Sequence, residues 1–245
     1  ALLEPSKAFT AKDSKQLKAW FAQLTHWMLS SPQGKEEAEC KNNHSIAYDV
    51  QIAAFSLYGG KQQQAIDIIN ALPARRIAKQ IDTDGKQPHE LTRTLAFHYS
   101  QYNLTHILDL LTMARNLNMD TEALAAHDGH SFYKAMDFLA QYMGKDSGTW
   151  PYRQISGWEE AQQNFCRDLY RTATWLNPTR KDYLRLYNDC RTLDLSDRFN
   201  LLYVQATEVD HAYAFAAGQL QLAMQCADKA RKEQKNAARR RVVPR

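Results

Sequence analysis

Apolar residues recur at three- and four-residue spacing along most of the chain, which is the pattern of helices that bury one face. The first such stretch begins at Asp13 or Ser14, either of which can cap it, and continues to about Ser30. Its apolar face comprises Leu17, Trp20, Phe21, Leu24, Trp27 and Met28. The pattern therefore predicts an α-rich protein, and we expect a buried core position for Trp20, Trp27, Trp158 and Trp175.

Short polar, glycine- or proline-containing segments separate the remaining apolar stretches. A second helix is predicted from residues 43–45 to 58, stopped by Gly59-Gly60, and a third over 61–79, so that the two form an antiparallel pair. Pro88 starts a helix that runs through Tyr102 and is followed, with or without a break, by 104–117. Further helices are predicted over 131–142, 158–176, 181–190 and 199–235, with an ordered loop at 144–157.

Long helices joined by short loops fit two architectures. One is an α-solenoid and the other is a set of antiparallel helical hairpins closed into an (α/α) toroid. The chain shows no fixed-period repeat of the tetratricopeptide or ankyrin kind, so the pattern alone leaves both open. A length of 245 residues predicts one domain, over 1–235, followed by a basic tail at 236–245.

Composition and charge narrow the class of protein. With 44% hydrophobic and 24% charged residues, the chain is typical of a globular protein, and no apolar run reaches the roughly 20 residues of a membrane span. The net charge of +4 resides at the carboxyl end, where residues 228–245 hold eight basic and two acidic residues. The rest of the chain is slightly acidic. Membrane insertion and nucleic-acid binding are therefore not expected, and no oligomeric state is predicted.

The four cysteines are Cys40, Cys166, Cys190 and Cys226. They show neither a CxxC motif nor a cysteine–histidine ligand spacing, so no zinc site, other metal or cofactor is expected. In an oxidising compartment they could form up to two disulfides, and they could equally be buried thiols.

Two polar groups stand out from the apolar pattern. Asn42, Asn43 and His44 follow Lys41 at the start of the second helix, and Tyr48 and Gln51 share a helical face with His44. Asn42 or Asn43 could instead be only an N-cap, with His44 as an exposed first-turn residue.

The second polar group lies within residues 87–104, where histidines, tyrosines and Arg93 interrupt an apolar helix pattern. At about 100° per residue, Tyr99 lies about 120° around a helix from Arg93, whereas Tyr102 lies about 180° away. Tyr99 is therefore the predicted partner of Arg93.

These motifs together resemble the alginate lyase superfamily. The resemblance is carried by Asn42-Asn43-His44-Ser45 with Tyr48 and Gln51, by Glu90-Leu91-x-Arg93-Thr94 leading to His98-Tyr99-Ser100, and by Trp150-Pro151-Tyr152. It covers roughly residues 15–176 and is most similar to polysaccharide lyase family thirty-eight, with family five more distant.

The resemblance implies a toroid that acts on β-linked uronate polymers such as alginate or glucuronan, in the periplasm or outside the cell. Family members are longer, so residues 1–235 are expected to be the carboxyl-terminal portion of the toroid. The implied catalytic residues are Asn43, His44, Arg93 and Tyr99. Contacts with the acidic polysaccharide are expected from Asn42, Tyr48, Tyr102, Tyr152 and Arg153.

The chemistry of β-elimination independently favours these residue types. The C5 proton of a uronate is acidic only when the neighbouring carboxylate is neutralised, and an asparagine amide, a histidine and an arginine can do this by hydrogen bonding. A tyrosine can then take that proton and return it to the leaving oxygen, since nearby positive charge favours its phenolate form.

Two other functions use the same residues without catalysis. The chain could be a helical binding module for a peptide or glycan, or a truncated lyase that binds acidic polysaccharide without cutting it. Catalysis requires the Asn43-His44 and Arg93-Tyr99 groups to meet around one uronate-sized space, which a binding scaffold does not require.

Overall fold

The computed structural model describes residues 6–190 of the chain. Its α-helices are α1 (Ala11–Ser30), α2 (Pro32–Ala38), α3 (Asn43–Tyr58), α4 (Gln62–Leu72), α5 (Ala78–Gln80), α6 (Pro88–Leu91), α7 (Ala96–Asn116), α8 (Thr121–Leu124), α9 (Phe132–Ala140), α10 (Trp158–Asn164), α11 (Arg171–Leu176) and α12 (Lys181–Cys190). Two π-helical turns, Pro73–Ile77 and Phe165–Tyr170, connect α4 to α5 and α10 to α11, and a 3-10 turn spans Ser147–Thr149. A short antiparallel hairpin pairs β1 (Ala126–His127) with β2 (His130–Ser131). Apart from this hairpin, the regular secondary structure of the described residues is helical, as predicted.

Helix α1 begins three residues earlier than the sequence predicted. Thr10 is its N-cap, and the Asp13 side chain accepts a hydrogen bond from the Thr10 backbone N–H, which completes a capping box. The helix packs on α3 through Phe21, which contacts the rings of Phe55 and Tyr58.

The tryptophans of α1 do not lie in the core. Trp20 is 55% exposed and Trp27 is 52% exposed, so the prediction that both are buried is wrong. They lie seven residues apart and therefore share one helical face, whereas the face that packs on α3 carries Phe21, Thr25 and Met28. Trp158 is buried as predicted, and Trp175 is partly buried.

Helices α3 and α4 form the predicted antiparallel pair. Helix α3 occupies the predicted span, with Asn42 as its N-cap and Gly59 as its C-cap. Arg76 in the first π-helical turn forms a buried ion pair with Asp49 of α3, with nitrogen–oxygen distances of 2.7 and 2.9 Å. This ion pair joins the π-helical turn that follows α4 to the middle of α3.

The helix predicted to run from Pro88 through Tyr102 is broken. Helix α6 ends at Leu91 and α7 begins only at Ala96. The break contains neither glycine nor proline, and it coincides with a contact between residues 94–97 and the loop at 153–155. Helix α7 then runs without interruption to Asn116, and its buried residues form the centre of the core, in contact with α3, α9, α10 and α11.

A disulfide links the last described helix to the segment before it. Cys190 at the end of α12 pairs with Cys166 in the second π-helical turn, and Cys40 is a free thiol. The predicted helix at 199–235, the basic tail at 236–245 and Cys226 lie outside the described residues. Among residues 6–190, no helix is both long and apolar enough to cross a bilayer.

Candidate functional site

Asn43 and Glu90 form the buried base of the site. The Asn43 backbone N–H donates to Glu90 Oε1 at 2.6 Å, and its side-chain amide donates to Glu90 Oε2 at 2.8 Å. Both residues are almost completely buried. Burial raises the pKa of the Glu90 carboxyl above its ordinary value, against the opposing effects of the Asn43 hydrogen bonds and the positive charge of Arg93. The carboxylate therefore joins the start of α3 to α6.

Arg93 and Tyr99 stack across the break between α6 and α7. The guanidinium carbon of Arg93 lies 3.9 Å from the centre of the Tyr99 ring, and Arg93 Nη1 lies 3.9 Å from Glu90 Oε2. Tyr99 is thus the aromatic partner of Arg93, as predicted. The helical-angle argument behind that prediction was wrong, because the two residues do not belong to one helix.

The Trp150-Pro151-Tyr152 loop lies against the start of α7. The Ala96 N–H donates to the Arg153 carbonyl at 2.9 Å, and the Phe97 N–H donates to the Gln154 side chain at 3.1 Å. These bonds satisfy donors that the first turn of a helix leaves free. The loop therefore positions the helical turn that carries Tyr99.

The aromatic residues around this loop differ in exposure. Tyr152 is half-buried against Trp150, and the side chain of Arg153 is exposed. Tyr102 is 43% exposed and lies between the rings of His98 and His106. The predicted sugar contacts of these three residues remain predictions.

His44 lies at the exposed edge of the site. Its Nδ1 is 2.9 Å from Glu37 Oε1, with about half of each side chain exposed. Cys40 lies beside Glu37, and burial together with the carboxylates of Glu37 and Glu36 raises the pKa of its thiol.

Two predicted substrate contacts have structural roles, and the predicted sugar contact of Asn42 stays a prediction. Tyr48 is buried and its hydroxyl donates to the Met28 carbonyl at 3.0 Å, so it joins α3 to α1 and is not a sugar contact as predicted. Asn42 is the N-cap of α3, where its Oδ1 accepts from the His44 N–H, and its carbonyl accepts from Gln80. The capping interpretation of Asn42 is therefore correct.

An open cleft of about 600 Å³ adjoins the site. It is lined by Glu39, Cys40, Lys41, Arg75, Arg76, Lys79, Gln80 and His89. Lys41 and Lys79 have no carboxylate partner among the described residues, whereas Arg76 forms an ion pair with Asp49. The cleft therefore presents uncompensated positive charge beside the start of α3, and none of the four predicted catalytic residues is among these lining residues.

Two carboxylates of the site were not singled out from the sequence. Glu90 was noted only as part of a motif, although its position three residues before Arg93 is a spacing at which opposite charges meet. Glu37 lies seven residues before His44 and belongs to none of the three sequence motifs. The expectation of no metal site considered only cysteine and histidine spacing, and it did not include this glutamate.

Comparison with known proteins identifies a family and a related fold. The family model described as alginate lyase matches residues 1–150. The crystal structure of an alginate lyase from Bacteroides ovatus is 41% identical to this chain, with a TM-score of 0.78. The match covers 83% of this chain and 53% of the Bacteroides protein, so this chain spans about half of that relative's length. No curated protein matches.

The structural similarity confirms the predicted all-α toroid fold, and it disfavours the solenoid. The family match extends over more than half of the chain, and it includes the first two sequence motifs and ends at Trp150, the first residue of the third. The chain belongs to the alginate lyase family.

Proposed function

We propose that this chain carries the catalytic residues of a polysaccharide lyase that cleaves a β-linked uronate polymer, alginate or glucuronan, by β-elimination. The observation that carries the proposal is the convergence of three motifs far apart in sequence. Asn43 meets Glu90, Arg93 stacks on Tyr99, and the loop at 153–155 holds the first turn of α7. A helical scaffold does not require these groups to meet.

Asn43 and Arg93 are the groups that neutralise the substrate carboxylate. An asparagine amide has two N–H donors, and Glu90 accepts only one of those of Asn43, which leaves the other for a ligand. The Arg93 side chain is about one-third exposed and retains further donors beside the Tyr99 ring. Hydrogen bonds from these groups strengthen as charge moves onto the carboxylate in the enolate-like transition state.

Tyr99 is the proposed proton-transfer group. In mannuronate and glucuronate the C5 hydrogen and the O4 leaving group lie on the same side, so one tyrosine can remove the proton as a phenolate and then, as the phenol, return it to the departing oxygen. In guluronate they lie on opposite sides, and His44 is then the base with Tyr99 as the acid. The half-exposed His44 can reach the substrate either as this base or as a hydrogen-bond donor to the carboxylate.

The basic cleft supports an anionic polymer as the substrate. Lys41 and Lys79 face a space large enough for a sugar unit, and positive charge there attracts a polyuronate over several ångströms. Tyr102, Tyr152 and Arg153 are proposed to bind sugar units beyond the reacting one, by ring stacking or by pairing with a carboxylate.

We also propose a lyase family within the superfamily and a cellular location for the protein. The motif spacing favours polysaccharide lyase family thirty-eight over family five. The Cys166–Cys190 disulfide supports a periplasmic or secreted location, because disulfides persist in oxidising compartments.

The test is to incubate the protein separately with polymannuronate, polyguluronate and glucuronan and follow the ultraviolet absorbance of the unsaturated product end. We expect absorbance to rise with at least one polymer and to stay flat with a neutral β-linked glucan. If a polyuronate binds but no unsaturated product forms, the chain is a binding protein and the proposed catalysis is wrong.

A further inference from the structure

Glu37, Cys40 and His44 converge at the junction of α2 and α3. One ligand atom from each residue lies within 4.8 Å of the others. His44 Nδ1 is 2.9 Å from Glu37 Oε1, and Cys40 Sγ is 3.9 Å from Glu37 Oε2. The proposed lyase mechanism uses His44 but gives no role to Cys40, so the convergence of all three needs a separate explanation.

We propose that Glu37, Cys40 and His44 bind a zinc ion, and that the bound ion inhibits the lyase by holding His44. A carboxylate oxygen, a thiolate sulfur and an imidazole nitrogen are the three donor types that zinc accepts in proteins. Calcium and magnesium prefer oxygen ligands alone, so this mixed set favours zinc over either of them.

The three ligands come from one short segment that both flanking helices hold in place. Helix α2 begins at the Ser31 cap, α3 begins at the Asn42 cap, and Cys40 lies in the connection between them. About half of each of the Glu37 and His44 side chains is exposed, so an ion can enter from solvent and keep water as a fourth ligand. Binding converts the Cys40 thiol to a thiolate and releases its proton to solvent.

Zinc and the lyase reaction compete for the same imidazole. An ion between Glu37 and His44 replaces their 2.9 Å hydrogen bond with two metal bonds. His44 is then fixed at the edge of the site and lost to the substrate. The inhibition part of this inference rests on the proposed function, whereas zinc binding does not.

Cobalt(II) is the direct probe of binding, because a cysteine thiolate bound to cobalt gives a near-ultraviolet charge-transfer band. We expect one cobalt ion per chain to produce this band, and zinc to abolish it. Cys40→Ser should lose the band and weaken zinc affinity by at least tenfold. Cys226→Ser is the matched control and should keep both. A band that survives in Cys40→Ser, or disappears in Cys226→Ser, overturns the site.

Glu37→Gln provides a second test that leaves the thiol intact. It removes the anionic oxygen ligand but keeps an acceptor for His44, so folding should survive while zinc affinity falls by at least tenfold. Unchanged zinc affinity in this variant also overturns the site.

Inhibition is measured as the zinc concentration that halves product formation from a polyuronate, with each variant compared to its own zinc-free rate. We expect this concentration to be at least tenfold higher for Cys40→Ser than for the unaltered protein. Equal values would show that zinc bound at this site does not cause the inhibition. If neither the unaltered protein nor any variant makes product, the proposed function fails, and the cobalt spectra still decide the metal site.

Discussion

Asn43 and Glu90 are joined by two hydrogen bonds across 47 residues of sequence, one from the backbone and one from the side chain of the asparagine. The same carboxylate lies 3.9 Å from Arg93. One buried glutamate therefore orients two of the groups that we assign to the substrate carboxylate. Its own oxygens need not contact the sugar.

We predict that Glu90→Gln lowers kcat by about tenfold or more while the protein stays folded. The substitution keeps the side-chain volume and one acceptor oxygen, but it turns an amide towards the Asn43 donors, so the asparagine must reorient. A loss of one hydrogen bond in the transition state, worth about 1.4 kcal/mol, corresponds to a tenfold loss in rate. Steady-state kinetics on the preferred polymer check this, with the exposed Glu159→Gln as the control. Normal turnover in Glu90→Gln would remove the positioning role.

The raised pKa of Glu90 makes its contribution to stability depend on pH. Its ordinary value is 4.5, and burial, the largest cause, raises it in the folded protein. Folding therefore favours the protonated form, so the contribution of Glu90 is fully present below pH 4.5 and is lost as the pH rises through the raised pKa. Urea unfolding of the unaltered protein and of Glu90→Gln should show a free-energy difference that shifts in favour of Glu90→Gln as the pH rises. A difference that shifts the other way would mean that the hydrogen bonds outweigh burial.

Tyr99→Phe tests the proton-transfer group. It removes one oxygen and little volume, so the stack with Arg93 should persist. Because that oxygen acts in the transition state, kcat should fall by roughly 10²- to 10⁴-fold, with a much smaller change in substrate affinity. The measurement is kcat and KM on the preferred polymer.

Tyr102→Phe is the matched control, since it is the same chemical change one turn along α7 on a ring that contacts His98 and His106. It should retain most of the turnover. If Tyr102→Phe abolishes activity while Tyr99→Phe does not, the catalytic tyrosine has been assigned to the wrong residue.

Arg93→Ala should weaken binding and turnover together, because the substrate carboxylate is charged both before and during the reaction. We expect KM to rise and kcat to fall, each measurable by initial rates. Arg115→Ala is the control, since Arg115 also lies 3.9 Å above an aromatic ring, that of Trp175, away from the site. Equal losses in both variants would indicate a general effect of removing a stacked arginine.

Deletion of residues 236–245, which lie outside the described residues, should leave the fold and polyuronate binding nearly unchanged. A basic tail can attract an anionic polymer, so a small loss of affinity at low salt should vanish at high salt. Affinity at two ionic strengths checks this. A large loss that persists at high salt would make the tail part of the binding site.

The sequence predicted those helices whose ends have local signals. Helix α3 has the predicted bounds because Asn42 caps its start and Gly59 ends it, and α12 occupies the predicted span. The break between α6 and α7 has no such signal. Its cause is the contact with residues 153–155, which are more than fifty residues away in the chain, and local patterns do not contain that information.

Site residues were predictable from the sequence where the chemistry requires particular residue types. They were not predictable where the role of a residue depends on its burial or on a distant partner. The motifs identified the Arg93–Tyr99 pair, but Tyr48 was misassigned because its side chain is buried against α1. Glu90 was not given a role because its function comes from a partner 47 residues earlier. Such partners become visible only in three dimensions.

The long-range bond between Asn43 and Glu90 also bears on how a preparation of this protein should be judged. Helices form quickly from local contacts, whereas contacts between residues far apart in sequence form more slowly. A chain with every helix formed but α3 not yet docked on α6 would give a normal far-ultraviolet circular dichroism spectrum and would contain no site. Helical content therefore overstates the competent fraction, and active molecules should be counted by titration with a tight-binding ligand.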